Sequence, residues 1–233
     1  MNTSSSRRAL IVGTAAATTT AAIAGMPRLA AAVDDPAVTG PLWDADTVTL
    51  CLLDYQPETF AGLRGADPRL VELNARLLAK SAVTLGIPVV LSTVGVNAGF
   101  NHPTIPSLLS DLPGANPIDR NTMDAWADRT FRQAVMRAGR RRLVVVGLYT
   151  EICVVYPSVH ALHDGFAVAT AVDATAGQSA IAHDTAVMRL AHAGATTSTA
   201  MSMVCEWIRD WASPQASKVM PVLMWYQSQL PST

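Results

Sequence analysis

The sequence predicts one α/β domain built on a doubly wound, mostly parallel sheet with helices on both faces. Three features carry this reading. Runs of β-forming residues alternate with stretches of roughly 12 to 18 residues that repeat apolar positions at helical spacing, the pattern of successive strand-helix-strand units. The longest strand candidates are almost continuously apolar, as strands covered on both faces must be. Polar residues able to do chemistry stand just after strands, at the end of an open α/β sheet where ligands bind.

Thr47 to Leu53 (T-V-T-L-C-L-L) is the first strand and runs into Asp54-Tyr55-Gln56-Pro57. Pro68 to Leu85 sets Leu70, Leu73, Leu77, Leu78 and Val83 at helical spacing and stops at Gly86, a residue suited to a helix C-terminus. Ile87 to Thr93 is the second strand. Gly95 to Gly114, rich in Gly, Asn, Pro and Ser, is a long loop with a short helix at Ile105 to Asp111, and such a loop after a strand is expected to shape a pocket. Pro117 to Arg120 is a short extended piece, and a helix from about Asp124 to Ala138 ends at Gly139. Leu143 to Gly147 is the third long strand, followed by a helix from about Ile152 to Asp164, a strand at Phe166 to Val172 and a helix at Ser179 to Ala193. A short strand at Ala195 to Ser198 and a last helix at Met201 to Trp211 complete the series.

This divides the chain into a leader (1–32), a connecting arm (33–46), the α/β domain (47–212) and a tail (213–233). The tail is apolar but carries Pro214, Pro221 and Pro231, so it is expected to form no layer of its own and to pack on its domain or a neighbouring subunit. In the leader, Arg7-Arg8 precedes an Ala/Thr-rich apolar run, Ala9 to Gly25, and Ala30-Ala31-Ala32 follows as a small-residue cleavage site. The run has too little Leu or Ile for a stable membrane span. A Tat-type signal peptide cut near Val33 is expected, with the mature protein exported, periplasmic or extracellular, and free of the membrane.

Half of the residues are hydrophobic (50%), only 15% are charged and the net charge is −1, which suits a sizeable core and excludes a disordered chain. The basic residues are scattered, so neither nucleic acid nor an acidic membrane surface is an expected partner. Three unevenly spaced cysteines make no disulfide framework. Cys51 lies in a core strand and Cys205 on a helix, as small buried hydrophobes.

Cys153 stands elsewhere. Asp54 and Cys153 each follow a central strand, so a parallel sheet sets them on one rim, and Arg120 after the short extended piece reaches the same rim. A thiol, a carboxylate and a fixed cation form a nucleophile site, because the cation favours the thiolate and the carboxylate can shuttle its proton. The strand-to-helix turn after Gly147 supplies backbone N–H groups that can hold an oxyanion. On these residues alone, an inert core thiol at Cys153 and a helix cap at Asp54 fit as well.

The text L-L-D-Y-Q at Leu52 to Gln56, D-R-N-T-M-D-A-W at Asp119 to Trp126, G-L-Y-T-E-I-C-V at Gly147 to Val154, V-D-A-T-A-G at Val172 to Gly177 and C-E-W-I-R-D-W at Cys205 to Trp211 resembles the isochorismatase-like cysteine hydrolases, in their YcaC-related branch. The resemblance runs from about Asp46 to Trp211. It implies the family's three-layer fold, no cofactor, a homo-oligomer and hydrolysis of a small amide or related carbonyl compound through a covalent thioester. The family triad of aspartate, lysine and cysteine falls on Asp54, position 120 and Cys153, with arginine at position 120 as in that branch. Arg120 is thus expected to stabilise the thiolate and orient Asp54 rather than carry a proton. The resemblance also implies an oxyanion hole from the N–H groups of Tyr149 and Cys153, and a cis peptide at Leu148-Tyr149.

Metal-dependent relatives use an Asp-x-His motif and a further His after the second strand. Thr93 to Pro103 has only His102, so no metal is expected, and His160 and His163 face solvent or a subunit. Gln56 and Trp126 are candidates to line the substrate pocket, against a solvated Gln and a core Trp. Glu151 is expected to accept backbone N–H groups or meet a subunit, and Arg140-Arg141-Arg142 to form a solvated corner. Two other functions suit the same residues: a catalytically silent binding or scaffold member of the fold, and a thiol redox sensor.

Overall fold

The computed structural model describes residues 42–231 and, apart from these, Met1. The expected signal peptide and most of the connecting arm lie outside the described residues. Among the described residues no helix is long and apolar enough to cross a membrane.

Six strands form one all-parallel sheet: β1 (Val48–Leu53), β2 (Val89–Val94), β3 (Ile118–Arg120), β4 (Arg142–Gly147), β5 (Ala167–Ala171) and β6 (Thr196–Ser198). Their order across the sheet is β3-β2-β1-β4-β5-β6. The chain winds outward from β1 in one direction and from β4 in the other, so the topological switch lies between those two central strands, with Leu53 level with Gly147.

The side-chain alternation of the strands splits the core into two layers. Val48, Leu50, Leu52, Val144 and Val146 face helices α2 (Pro68–Leu85), α7 (Ala200–Ile208) and α8 (Pro214–Gln229). Cys51, Leu53, Leu143 and Val145 face α4 (Arg129–Arg137), α5 (Val155–His163) and α6 (Ala180–His192). Two short helices, α1 (Pro57–Ala61) and α3 (Pro106–Ser110), lie on the connections after β1 and β2.

Helix α2 has the expected bounds because the sequence marks both ends. The Asp67 carboxylate accepts from Arg69 N–H, Pro68 occupies the first turn, and Gly86 closes the helix at φ 69°. The expected helix at 124–138 is instead a single 3₁₀ turn, Ala125–Ala127, and then α4, because Asp124 and Asp128 each cap a separate start. The prolines of the tail do not prevent a 16-residue helix, α8. Pro214 sits in its first turn, where no N–H is needed, and Pro221 is tolerated inside because Val219, Leu223 and Tyr226 are buried against the domain. Tyr226 donates to Asn74 Oδ1 of α2 at 2.8 Å, and the Trp225 ring lies under Arg76 and Lys80.

The corner at Arg140 to Arg142 is only partly solvated: Arg141 is exposed and Arg140 half-buried, but Arg142 is not in solvent as expected. Arg142 is buried and lies 4.4 Å from the Trp43 ring centroid, Arg141 lies 4.6 Å from that of Phe166, and Arg140 donates to the Ala45 and Val48 carbonyls. Trp43 and Ala45 of the arm, with Val48 at the start of β1, meet Arg142 and Arg140, and no pattern within the arginine run itself reports those partners.

Candidate active site

Both central strands end in an uncommon backbone turn. Asp54 directly after β1 has φ 60° and Tyr149 two residues after β4 has φ 59°, a left-handed conformation that costs side-chain-bearing residues energy and gathers at functional sites. Asp54 is held there by its N–H to the Ser92 carbonyl (3.0 Å), while its own carbonyl accepts Gln56 N–H (2.8 Å) and Thr59 Oγ1 (2.6 Å). The chain at Tyr149 then makes a π-type turn, Thr150–Val154, which brings Cys153 back over the strand ends ahead of α5. Gly147 makes the approach possible, because a Cβ there would stand 2.5 Å from the Leu53 carbonyl oxygen.

Arg120 comes from β3, two strands from β1, a gap of about 10 Å that only a long side chain bridges. It meets Asp54 as a two-pronged pair, Nη1 to Oδ1 and Nη2 to Oδ2, both at 2.7 Å, with both side chains 0% exposed. On the way Nη1 also donates to Ser92 Oγ and the Thr93 carbonyl, each at 3.1 Å. Burial pulls the guanidinium down, but the hydrogen bonds and charge of Asp54 hold it above its ordinary value.

Cys153 completes the group. It is buried, and its thiol is pushed well above the ordinary range, first by burial and then by the charge of Asp54 and that carboxylate's hold on the thiol proton. Arg120 pulls the other way and loses, because its charge is already matched by Asp54. Arg120 acts on the thiol in the expected direction, but burial and the charge of Asp54 outweigh it. Cys51, sealed in β1, is pushed up to about 12 by burial alone.

A cavity of about 400 Å³ opens over Cys153. Its apolar wall is Tyr149, Ile152, Ala98, Phe100 and Met123, and its polar wall is Glu58, Thr59, Asn101 and Asn121. The loop after β2 is shaped by Asp119, which accepts Thr93 Oγ1 and the N–H groups of Val96 and Asn97. At the mouth, Glu58 accepts the His102 N–H at 3.0 Å and contacts its ring Nδ1.

Two expected pocket residues lie elsewhere. Gln56 is fully buried and clamps the loop to β2, donating to the carbonyls of His102 (2.7 Å) and Val94 (3.3 Å) and accepting Val94 N–H (3.0 Å). With its amide so engaged it lines no cavity. Trp126 packs edge-on against Phe166 in the lower core layer, its indole N–H donating to Asp164 at 2.8 Å. The expected cis peptide is absent too: no described peptide bond is cis, and the turn is made by the left-handed Tyr149. The expected oxyanion pair is not open in this state, since Cys153 N–H donates to the Tyr149 carbonyl at 2.9 Å and closes the turn on itself.

Glu151 accepts Gln178 N–H at 3.1 Å, and its other oxygen lies where Gly177 has no Cβ. His160 pairs with Asp124 at 2.5 Å, and His183 with Thr150 Oγ1 at 2.9 Å. Among the described residues no group of three His, Cys, Asp or Glu is placed to hold a metal ion. The pocket residues not singled out from the sequence include Glu58, Thr59, Val94, Phe100, Asn121, Met123 and Ile152. Phe100 carried a signal, a bulky apolar residue within a Gly/Asn/Pro-rich loop, and in the structure it is 80% exposed. Glu58, Asn121, Met123 and Ile152 lie within four residues of a triad candidate, a closeness that only the chain path converts into a wall.

The arrangement can take an electrophilic carbon: a thiol at the floor of a largely apolar cavity, beside a carboxylate able to accept its proton. Comparison with known proteins agrees with this layout. The isochorismatase domain matches residues 48–202. The probable hydrolase YcaC of Escherichia coli is 31% identical over 169 residues, covering 72% of this chain and 81% of that protein. The structure of YcaC from Pseudomonas aeruginosa, with hexane-2,5-diol and covalent acrylamide, superposes with a TM-score of 0.74 at 28% identity, covering 82% of this chain and 96% of that one. That of Escherichia coli YcaC, an octameric hydrolase of unknown specificity, gives 0.72 at 27%, covering 82% and 98%. By domain, sequence and fold alike, this chain belongs to the isochorismatase family of hydrolases.

Proposed function

We propose that the protein is an exported cysteine hydrolase that cleaves a small amide or related carbonyl compound through a thioester on Cys153. The observation that carries this reading is the buried Asp54–Arg120 pair held against the Cys153 thiol at the floor of the cavity. Cys153 Sγ attacks the carbonyl carbon while its proton passes to Asp54. The carbonyl π electrons move to oxygen, and the tetrahedral adduct collapses with the amine leaving and taking the proton from Asp54. Water, deprotonated by Asp54, then attacks the thioester, and the acid departs as the thiol is restored. Arg120 holds Asp54 aimed through its two hydrogen bonds, and as an arginine it takes no part in the proton transfers. The N–H groups of Tyr149 and Cys153 receive the oxyanion once the hydrogen bond from Cys153 N–H to the Tyr149 carbonyl opens.

The covalent acrylamide of Pseudomonas aeruginosa YcaC supports this reading, since acrylamide is both a small amide and an electrophile that thiols take. The octamer of Escherichia coli YcaC, with the exposed Trp211 and Met224 here, supports assembly of this chain as a homo-oligomer. Export rests on the leader sequence, and sequencing the N-terminus of the mature protein checks cleavage near Val33.

The chemistry is tested with a panel of small amides, carbamates and nitrile-derived compounds. At least one is hydrolysed by the wild type, and Cys153→Ala, folded by circular dichroism, loses turnover by about three orders of magnitude or more. Equal rates in the two proteins would overturn the proposal.

A further inference from the structure

We infer that the active-site cavity selects against anions, that its substrate is an uncharged small carbonyl compound, and that Glu58 is the residue that sets this preference. The inference rests on the reading of Cys153 as the nucleophile and adds the charge class of what reaches it.

Among the described residues that line the cavity, no lysine or arginine is present and Glu58 is the one charged side chain. The cation that acts on Cys153 is Arg120, and both prongs of its guanidinium are bound to Asp54, so the pair presents no net positive charge to an entering ligand. The backbone N–H groups of Val96 and Asn97, which could cradle an anion at the loop, are already occupied by the Asp119 carboxylate. Glu58 itself remains ionised: hydrogen bonds from the His102 ring and from the His102 backbone N–H hold its carboxyl below its ordinary value. A ligand carboxylate would lose water in a cavity walled by Phe100, Met123 and Ile152, find no free cation, and meet the negative charge of Glu58 at the mouth. A neutral amide meets none of these penalties, and the side-chain amide of Asn121 is at hand for its polar end, with Asn101 Oδ1 beside it while Asn101 Nδ2 donates to the Val94 carbonyl at 2.8 Å.

Iodoacetamide and iodoacetate test this without any knowledge of the substrate. The two alkylating reagents are nearly equal in size and differ in charge. In each case a carbon–sulfur bond forms, iodide leaves and the thiol proton is lost. The full-length protein is treated at pH 8, where an ordinary imidazole is uncharged. Labelling of Cys153 is followed by mass spectrometry, and the iodoacetamide-to-iodoacetate rate ratio is divided by that of 2-mercaptoethanol, an uncharged thiol. For two unit charges in a partly solvated cleft, the normalised ratio is expected near tenfold at low salt, shrinking severalfold in 0.5 M salt as the field is screened. Glu58→Gln, whose amide oxygen can still accept the His102 N–H, narrows it by about threefold or more.

A normalised ratio of one that salt does not change overturns the charge selection and leaves the nucleophile reading standing. A wide ratio that Glu58→Gln leaves untouched overturns the assignment to Glu58. Should Cys153 stay unlabelled by iodoacetamide while Cys205 reacts, the nucleophile reading falls, and this inference with it. The salt series on the wild type decides the matter even if the variant fails to fold.

Discussion

At the scale of single residues, the site turns on how one positive charge is shared. Arg120 faces both Asp54 and Cys153, and it makes two short hydrogen bonds to the carboxylate in a region sealed from water. A charge matched in that way pulls a neighbouring thiol less than burial and the Asp54 carboxylate push it, so the thiol is raised. The consequence is measurable by ultraviolet titration. The difference spectrum between wild type and Cys153→Ala should show no thiolate band at any pH up to 9, because a raised thiol keeps its proton through the whole range in which an ordinary one, near 8.5, loses it. A band already present at pH 7 would instead mean a thiolate–cation pair, and the assignment of Asp54 as proton acceptor would fail.

At the scale of elements, the site depends on how closely two strand ends meet. β1 and β4 carry Asp54 and the turn to Cys153, and their ends are in register at Leu53 and Gly147. Gly147 has an ordinary backbone conformation, so its role is closeness, with the Leu53 carbonyl 2.5 Å from where a Cβ would sit. Gly147→Ala must therefore push the strand ends apart. The expected outcome is a stability loss of about 1–3 kcal/mol in urea unfolding and a loss of at least tenfold in the rate of acylation of Cys153. A folded variant of unchanged activity would show that the separation of these ends does not limit the chemistry. Gln56 belongs to the same scale: its motif position pointed to a ligand, yet its amide fastens the β2 end to the loop and so sets the floor on which Phe100 and Asn101 stand.

At the scale of the whole molecule, the rim and the faces of the sheet divide the work. The rim above β1 and β4 carries the candidate chemistry, while α8 covers α2 on one face through Val219, Leu223 and Tyr226. Leu223→Ala should cost about 2–5 kcal/mol in urea unfolding, in line with a buried leucine truncated to alanine, and leave alkylation of Cys153 unchanged under native conditions. A parallel loss of Cys153 reactivity would show that this layer and the rim are coupled.

The sequence by itself determined the alternation of strands and helices, the parallel sheet and the meeting of Asp54, Arg120 and Cys153 on one rim. Each of these follows from local patterns: apolar runs, helix caps and the rule that the carboxyl ends of parallel strands share an edge. Asp67, Pro68 and Gly86 marked a helix to the residue because caps act over one turn. Tertiary structure alone decided what depends on neighbours distant in sequence. It buried Arg142 under Trp43, made a helix of the proline-bearing tail, turned Gln56 and Trp126 away from the cavity, and gave its wall to Phe100, Met123 and Glu58. It also decided the state of the thiol. A pKa is set by burial and by the balance of surrounding charges, and no spacing along the chain states that the arginine expected to ionise Cys153 is already bound, at both prongs, to Asp54.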